Sequence, residues 1–392
     1  MGPLRRPRAH IPKAAEAVKS VFFAVNRSQY RYFSFLVAQF RGEAQVVYAR
    51  RSLLPSWRAW KQLSCSDLSP IVEQKLVELT ARKRLRGSWR LHCYRGLYFV
   101  LGVIAYLRYW RPIARSGATV LAVWNGNFFR QGIALAIAGR LGLRCVFFEN
   151  GPLPDTTTLD ARGVNYNNSV PRSRGFFAAR PMAGELPRTL VPRAPRRPGK
   201  FVARSDQLPA RYVFVPFQID HDTQLTHFSP WIRNMQHLFA EVTAAAREAG
   251  DGDLVFKEHP SAAQDYPTLY RAIEGDPKLH LLNHAATQTL IEKAEAVITI
   301  NSTVGLEALL LGKKVIVLGQ AFYAIDGITC QAASREQLAT ALRELDSWQI
   351  DRELIDGFLH YLQREYALPG SWKSPQIQHA IAVEERLGVC HG

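Results

Sequence analysis

The sequence predicts an α/β protein with two parallel-sheet domains. Short apolar strands alternate with helical segments in both halves of the 392-residue chain, and strands separated by helices form parallel sheets. A Pro/Arg-rich stretch, residues 186–199, interrupts this alternation and cannot pack as a helix or strand. We therefore expect an N-terminal Rossmann-like domain over residues 1–185, a linker over 186–208, a second α/β domain over 209–350, and closing helices over 351–392.

The order of the predicted elements supports this division. In the first half, strands are expected over 20–25, 44–49, 119–124 and 144–148, and helices over 29–41, about 69–109 and 128–141. In the second half, strands are expected over 212–217, 254–257, 279–282, 296–300 and 314–318, and helices over 303–312, 335–345 and 352–366. Open α/β sheets bind ligands at the carboxyl ends of their strands. Two Rossmann-like domains that face a cleft in this way form the GT-B architecture.

Charge is the bulk property that indicates a partner. The formal net charge is +17, and nucleic acid, anionic lipid or an acidic substrate would each complement it. Solvated arginines account for part of the excess. The sequence has no helix-turn-helix, RNP or zinc-finger pattern, so we expect no nucleic-acid partner. Basic clusters beside the apolar segment 96–107 favour an anionic membrane surface instead.

Targeting signals and cysteine usage give the expected location. No stretch reaches the roughly 18 uncharged apolar residues that a transmembrane helix needs, and charged residues interrupt the region where a signal peptide would have its apolar core. The five cysteines are odd in number and scattered, which predicts neither a disulfide framework nor a zinc site. We expect a cytoplasmic protein, peripheral on the inner face of the inner membrane.

Polar residues follow two buried strands of the second half and predict a phosphate site. Ser302 and Thr303 come directly before an apolar helix, and a helix N-terminus with free amides attracts anions. Lys257 and His259 follow another strand and could donate to the same anion. Each residue alone could also be an ordinary cap or core residue, but together they favour phosphate. Glu307, one turn into the helix, could accept hydrogen bonds from ribose hydroxyls.

Carboxylates from both halves form a second candidate group. Asp220 and Asp222 follow a strand, and an Asp-x-Asp pair can hold a divalent metal. A single carboxylate at a sugar's anomeric centre can instead act as a nucleophile. Glu149 ends a strand in the first half, across the expected cleft. Two carboxylates on opposite walls suit a retaining double displacement, although each alone could be a turn residue or a cap.

Several of these runs resemble the capsule polysaccharide biosynthesis family, whose characterised members are bacterial retaining β-Kdo transferases. The resemblance is carried by Phe217-Gln-Ile-Asp-His-Asp-Thr-Gln224, Lys257-Glu-His-Pro260, Asn301-Ser-Thr-Val-Gly-Leu-Glu-Ala-Leu309, Gly319-Gln-Ala-Phe-Tyr323, Phe148-Glu-Asn-Gly-Pro-Leu-Pro154 and Leu159-Asp-Ala-Arg-Gly-Val-Asn-Tyr-Asn-Asn168. These runs lie between about residues 120 and 330. The set is specific, whereas each run alone is not.

The resemblance implies a function and roles for individual residues. It implies a GT-B fold, a CMP-β-Kdo donor, and a glycan or glycolipid acceptor in capsule or O-antigen synthesis, with no metal or other cofactor required. Asp222, in register with Gln218, would be the nucleophile in place of Asp220, and Glu149 would be the acid/base. The remaining expected roles are CMP and phosphate binding by Lys257, His259, Ser302, Thr303 and Glu307, and donor or acceptor contacts by Gln218, Asn125, Asn150, Asn301 and Tyr323.

One residue departs from the expected pattern, and other functions remain open. Glu258 places a negative charge beside the expected phosphate site, unless its side chain points away. The alternative functions are another CMP-sugar or glycerophosphate transferase of the same pathway, or a non-catalytic capsule export or assembly accessory. A nucleic-acid binder is the least favoured, and it would predict salt-sensitive binding to DNA or RNA.

Overall fold

A computed structural model gives the fold of most of the chain. It describes residues 19–51, 54–83, 88–180, 185–187, 189–190, 208–220, 222–250, 252–262 and 264–389. Most of the expected linker therefore lies outside the described residues.

The strands and helices alternate along the chain. The strands are β1 Ser20–Ala24, β2 Ala44–Tyr48, β3 Val120–Trp124, β4 Arg144–Asn150, β5 Thr156–Asp160, β6 Val213–Pro216, β7 Leu254–Lys257, β8 Leu279–Leu281, β9 Ala296–Thr299, β10 Lys314–Val317, β11 Cys330–Gln331 and β12 Leu368–Pro369. The helices are α1 Arg27–Gln39, α2 Cys65–Lys83, α3 Ser88–Arg115, α4 Phe129–Leu141, α5 Arg174–Ala178, α6 Thr223–Phe228, α7 Met235–Ala249, α8 Pro267–Gly275, α9 Thr287–Lys293, α10 Thr303–Leu310, α11 Arg335–Arg343, α12 Arg352–Tyr361 and α13 Ile377–Val389. Short 3-10 turns cover Trp57–Gln62 and Asn165–Asn167, and a π turn covers Leu362–Tyr366.

The strands form two six-stranded sheets, one in each domain. The first has the order β12-β5-β4-β3-β1-β2, and the second has the order β11-β10-β9-β6-β7-β8. The second sheet is parallel throughout. In the first sheet β1 to β4 are parallel, while β5 and β12 add an antiparallel edge. These two α/β domains confirm the predicted GT-B-like fold class.

Each central strand is apolar on both faces because helices cover both sides of its sheet. In β1, Val21 and Phe23 belong to one buried cluster, whereas Phe22 and Ala24 belong to another on the opposite face. The two faces of β6 likewise join two separate clusters of the second domain. Side chains that alternate in this way fix the strand register, since a slip by one residue would exchange the two faces.

The segment after α12 returns to the first domain. β12 pairs with β5, and α13 packs beside α1, where Ala380 and Val383 join the core around Phe22. The Tyr32 hydroxyl and His379 Nε2 are 2.7 Å apart, which ties α1 to α13. α12, by contrast, packs into the core of the second domain. The expected closing helices are thus divided between the two domains.

Most predicted elements are confirmed, with differences that have physical causes. The helical region expected over about 69–109 consists of two helices, α2 and α3, packed side by side. β4 extends to Asn150, so that Glu149 lies inside the strand. The sequence did not predict β5 or α6, because β5 is polar and α6 is short, whereas α13 falls within the closing helices expected over 351–392.

Candidate functional site

The carboxyl ends of neighbouring strands assemble the candidate site from both domains. In the second sheet, β6 lies between β7 and β9, so the segments after these three strands share one edge. In the first sheet, β3 and β4 are adjacent and parallel, which brings Asn125 and Glu149 together. The residue groups that the sequence predicted around strand ends are therefore neighbours within each domain.

Glu149 is held by hydrogen bonds to both of its carboxylate oxygens. Asn125 Nδ2 donates to Oε2 at 2.7 Å, and Asn150 donates from its backbone N and its Nδ2 to Oε1, both at 2.9 Å. Asn125 adopts a left-handed conformation with φ 63°, which asparagine tolerates better than most residues. Its backbone N donates to Phe148 O at 2.7 Å, which fixes the turn beside Glu149.

Asn150 is itself oriented by a residue that the sequence did not indicate. Trp372 Nε1, from the segment between β12 and α13, donates to Asn150 Oδ1 at 2.7 Å. This bond leaves the Asn150 amide nitrogen directed at Glu149. The segment that returns from the second domain thus supports the acid/base candidate through Asn150. No local sequence signal could have shown this, because 222 residues separate the two partners.

The charge of Asp222 influences Glu149 although the two residues belong to different domains. Burial raises the pKa of Glu149, the hydrogen bonds from Asn150 and Asn125 lower it, and the negative charge of Asp222 raises it further. Asp222 follows β6 of the second domain, whereas Glu149 lies on β4 of the first. The structure therefore brings both carboxylates to the same region between the domains.

Asp222 is the N-cap of α6. One of its carboxylate oxygens accepts from Gln224 N at 3.0 Å. Asp220 is oriented elsewhere, since it accepts from Met235 N at 2.7 Å at the start of α7 and from the Tyr266 hydroxyl at 3.4 Å. The two carboxylates of the Asp-x-Asp sequence therefore serve different helices.

A buried pair of amides holds α6 in place. Gln218 Nε2 donates to Asn301 Oδ1 at 2.9 Å, which links the segment after β6 to the segment after β9. Asn301 Nδ2 donates in turn to the carbonyls of Gln224 and Phe228 at 2.9 and 3.2 Å. Both amide side chains are buried. Gln218 and Asn301, predicted as donor or acceptor contacts, are thus engaged in positioning the helix that Asp222 caps.

Lys257 and Glu258 are also engaged by the protein. Lys257 Nζ donates to the carbonyls of Asn283 and Ala285 at 2.6 and 2.7 Å, and burial lowers its pKa. Glu258 accepts from the Tyr270 hydroxyl, and at 3.0 Å from Asn283 Nδ2. The acidic residue that departs from the family pattern is therefore bound by two donors of its own domain.

His259 and the N-terminus of α10 form the rest of the predicted phosphate group. His259 is half-buried, and its Nδ1 accepts from Ser261 N at 3.1 Å. Ser302 caps α10 through Val304 N at 3.2 Å, Thr303 is exposed, and Glu307 is half-buried one turn further along.

Tyr323 lies beneath α10 and not on its open side. Its side chain is buried, its hydroxyl donates to Ser302 O, and burial raises its pKa. Gly305 allows this close packing, since a Cβ there would lie 2.5 Å from the Tyr323 hydroxyl oxygen. Tyr323 therefore positions the start of α10, although the sequence predicted it as a donor or acceptor contact.

One further polar contact crosses between the domains. Gln74 Nε2, on α2, donates to Asn127 O at 3.0 Å and lies 3.3 Å from Nε2 of His227 on α6. Sequence reasoning missed Gln74, because a glutamine on an amphipathic helix carries no signal of such a contact. It connects the loop after β3 with the helix that Asp222 caps.

The described residues contain neither a metal-binding cluster nor a membrane-spanning helix. Within the described ranges, no three His, Cys, Asp or Glu side chains are grouped so that they could hold a metal ion. None of the helices in the described part of the chain has the length and apolar character needed to cross a membrane.

The fold and the site define a two-domain α/β protein with paired carboxylates and a helix N-terminus between its domains. Residues 196–370 match the family model described as capsule polysaccharide biosynthesis protein. This match covers less than half of the chain, and within that segment it confirms the resemblance seen in the sequence.

Two curated proteins are similar in sequence to parts of this chain. Protein FixF of Sinorhizobium fredii (strain NBRC 101917 / NGR234) is 37% identical over 262 residues, which is 65% of this chain and 62% of FixF. The chain thus spans about three fifths of that relative. Capsule polysaccharide export protein KpsS of Escherichia coli is 28% identical over 133 residues, which is 32% of this chain and 34% of KpsS.

Two solved structures are also similar. KpsC of Thermosulfurimonas dismutans, described as a β-Kdo 2,7 transferase, matches with a TM-score of 0.47 and 13% identity over 95% of this chain and 100% of that chain. A second structure of that name, described as a β-Kdo 2,4 transferase, matches with a TM-score of 0.46 and 15% identity over 94% of this chain and 97% of that chain.

Proposed function

We propose that the protein is a retaining glycosyltransferase that moves Kdo from CMP-β-Kdo to a saccharide or glycolipid acceptor of a bacterial surface polysaccharide. The observation that carries the proposal is the pairing of Glu149 with Asp222, one from each domain, close enough for the charge of Asp222 to raise the pKa of Glu149. Two carboxylates on opposite walls are what a double displacement requires. The match of residues 196–370 to the capsule polysaccharide biosynthesis family model supports this chemistry.

In the first step, a carboxylate oxygen of Asp222 attacks the anomeric carbon of Kdo. A bond forms between this oxygen and the carbon, and the bond from the carbon to the CMP phosphate oxygen breaks, with its electron pair leaving on CMP. The N-cap position fixes the carboxylate, since Gln224 N holds one of its oxygens. The amide pair of Gln218 and Asn301 positions Asp222 by holding the helix that follows it.

In the second step, the acceptor hydroxyl attacks the same carbon from the side that CMP has left. Its proton passes to Glu149, and the Asp222 carboxylate departs, so that the original configuration is restored. Burial raises the pKa of Glu149, which makes its ionised form a stronger base. Asn125 and Asn150 hold both oxygens of Glu149 and keep it oriented.

The CMP phosphate is assigned to the edge where β7 and β9 end. His259 and the start of α10 at Ser302 and Thr303 supply the donors, and Glu307 is placed for the ribose. Lys257 contributes positive charge, while its two bonds to backbone carbonyls also hold the loop at Asn283. One phosphate can be neutralised by protein donors, so the proposal requires no metal or other cofactor.

The donor and the nucleophile can be tested together by intact-protein mass spectrometry after incubation with freshly generated CMP-β-Kdo. We expect a mass increase of one Kdo residue on the wild-type protein and on Asp220→Asn, and none on Asp222→Asn. Asparagine caps helices about as well as aspartate, so both variants should keep their fold. The two changes are chemically identical and lie two residues apart, which makes Asp220→Asn the matched control.

Glu149→Gln tests the second step. We expect this variant to form the adduct and to retain it when acceptor is added, with transfer slowed about 10²- to 10⁴-fold, as is typical for the loss of a general base. An adduct on Asp222→Asn would refute the assignment of the nucleophile. If the wild-type protein neither releases CMP nor forms an adduct, CMP-β-Kdo is refuted as the donor. That outcome would favour another CMP-sugar or glycerophosphate transferase, or a non-catalytic accessory.

A further inference from the structure

One face of α3 exposes a stripe of apolar side chains. Leu97, Val100, Leu101 and Ile104 have exposed fractions of 40 to 56%. They follow each other at intervals of three and four residues, so they lie on one side of the helix. Gly102 and Tyr106, on the opposite side, pack into the domain. A contiguous apolar face of this kind is uncommon on a soluble surface and marks an interaction site.

Two exposed tryptophans lie beside the second half of α3. Trp57 and Trp60 lie in the 3-10 turn Trp57–Gln62 and have exposed fractions of 76 and 58%. Hydrogen bonds hold this segment against α3, from Ser56 N to Leu107 O at 2.9 Å and from the Tyr106 hydroxyl to Gln62 O at 3.3 Å. Tryptophan prefers the boundary between membrane and water, where one end of its ring system is apolar and the other is wet. We call the four α3 residues and the two tryptophans the α3 surface.

The charge beside the α3 surface is mostly positive. No aspartate or glutamate occurs between Glu78 and Glu149, or between Glu43 and Asp67. Exposed Arg90, Arg111 and Arg115 lie before and after the stripe on α3, and exposed Arg58 and Lys61 lie beside the tryptophans in the 3-10 turn. The charge of Arg95 is paired with Glu73 of α2 at 2.6 Å.

We propose that the α3 surface docks the protein on an anionic lipid bilayer. The apolar side chains would enter the boundary between headgroups and acyl chains, while the flanking arginines and lysine contact the lipid phosphates. A second copy of the chain fits this surface poorly, because a symmetric contact would place the flanking arginines of one copy against those of the other. A nucleic acid would use the charge but would leave the apolar stripe unexplained.

The α3 surface is connected to the candidate site. Tyr98, next to Leu97, contacts Phe129 at a ring-centroid distance of 5.3 Å, and Phe129 is the first residue of α4. The turn before α4 contains Asn125, which holds Glu149. Docking through the α3 surface would therefore bring the Glu149 wall of the site close to the bilayer, where a lipid-linked acceptor could reach it.

Vesicle flotation tests the proposal without donor or acceptor, so its outcome is independent of the proposed transferase activity. The probes are vesicles of phosphatidylglycerol with phosphatidylethanolamine, and vesicles of phosphatidylcholine alone. We expect the wild-type protein to float with the anionic vesicles and to remain unbound with the neutral ones. Leu97→Gln with Ile104→Gln should weaken partitioning by about tenfold per side chain, since burying an exposed aliphatic side chain contributes roughly that factor.

The matched control is Ile377→Gln with Ile381→Gln on α13, which removes two equally exposed isoleucines from another surface. This variant should bind the anionic vesicles like the wild-type protein. Arg58→Gln with Arg111→Gln should lower binding roughly fivefold per arginine at low salt and less at high salt. Equal loss in both apolar variants, or binding of the wild-type protein to neither vesicle, would overturn the proposal.

A second measurement avoids dependence on the variants. Cys93 is exposed and lies four residues before Leu97, on the same side of α3. In a Cys65→Ser background, an environment-sensitive fluorophore on Cys93 should shift to the blue with anionic vesicles. An unchanged spectrum, a concentration-dependent shift in the absence of lipid, or an equal shift with duplex DNA would each refute the bilayer as the partner.

Discussion

Replacing Gly305 by alanine should destabilise the second domain, although the same change at most helical glycines stabilises a protein. A Cβ at Gly305 would lie 2.5 Å from the Tyr323 hydroxyl oxygen and 2.8 Å from two of its ring carbons. Tyr323 is buried and its hydroxyl is bonded to Ser302 O, so the ring cannot move without breaking that bond. Overpacking of this kind costs about 1–3 kcal/mol, against a gain of ~1 kcal/mol in helix propensity.

We therefore expect a net loss of up to about 2 kcal/mol in the free energy of unfolding, once the two effects are combined. Gly139→Ala is the matched control, since Gly139 also lies inside a helix, and nothing lies within 4 Å of a Cβ built there. This control should gain about 0.5–1 kcal/mol. Urea unfolding followed by circular dichroism measures both. A Gly305→Ala protein as stable as the wild type would show that α10 does not depend on the packing of Tyr323.

Three further predictions follow from the site and the core. The acid-side loss of activity should occur at a pH above the ordinary glutamate pKa of 4.5, because Glu149 must be ionised to act as a base and its pKa is raised. A pH–rate profile measures this. An acid-side midpoint at the ordinary glutamate pKa would contradict the prediction. Asn301→Leu should lower the free energy of unfolding, measured by urea unfolding, by about 2–4 kcal/mol. The change removes the hydrogen-bond partner of the Gln218 amide and of the carbonyls of Gln224 and Phe228. An unchanged urea midpoint would show that the amide pair does not hold α6. Burial lowers the pKa of His379, so the stability that the neutral histidine contributes is present above the ordinary histidine pKa and is lost as the pH falls through the lowered pKa. His379→Gln should therefore flatten the pH dependence of the free energy of unfolding. An unchanged slope of that free energy between about pH 7 and 5 would exclude His379 as the source of the dependence.

The sequence predicted the sheets well because their strands are buried on both faces. Runs such as 120–124 and 296–298 are apolar throughout, and only a strand between two helical layers requires that pattern. α6 could not be predicted in this way. It has six residues, and the amide of Asn301, far away in the chain, holds it. Isolated helices of this length are unstable in water.

Part of the candidate site could likewise be predicted from the sequence, and part of it could not. The positions of Glu149 and Asp222 followed from strand ends and from the family resemblance, and their catalytic roles remain predictions. Gln218, Asn301 and Tyr323 were expected to contact the donor or acceptor, yet their polar groups bond to the protein itself. A sequence pattern shows that a polar residue follows a strand, but not whether its partner is a ligand or the adjoining loop. Trp372 and Gln74 gave no signal, because their partners come from distant segments.

The return of β12 and α13 to the first domain sets the order in which the two domains can be completed during synthesis. β5 ends at Asp160, but the core around Phe22 still lacks Ala380, Val383 and Leu387. At the usual 5–20 residues per second, the ribosome needs roughly 10 to 45 s to make the intervening chain. The second sheet, which ends with β11 at Gln331, is translated entirely within that interval. The first domain to be translated is thus the last to be completed, and until then its unfinished core remains exposed beside the nascent second domain.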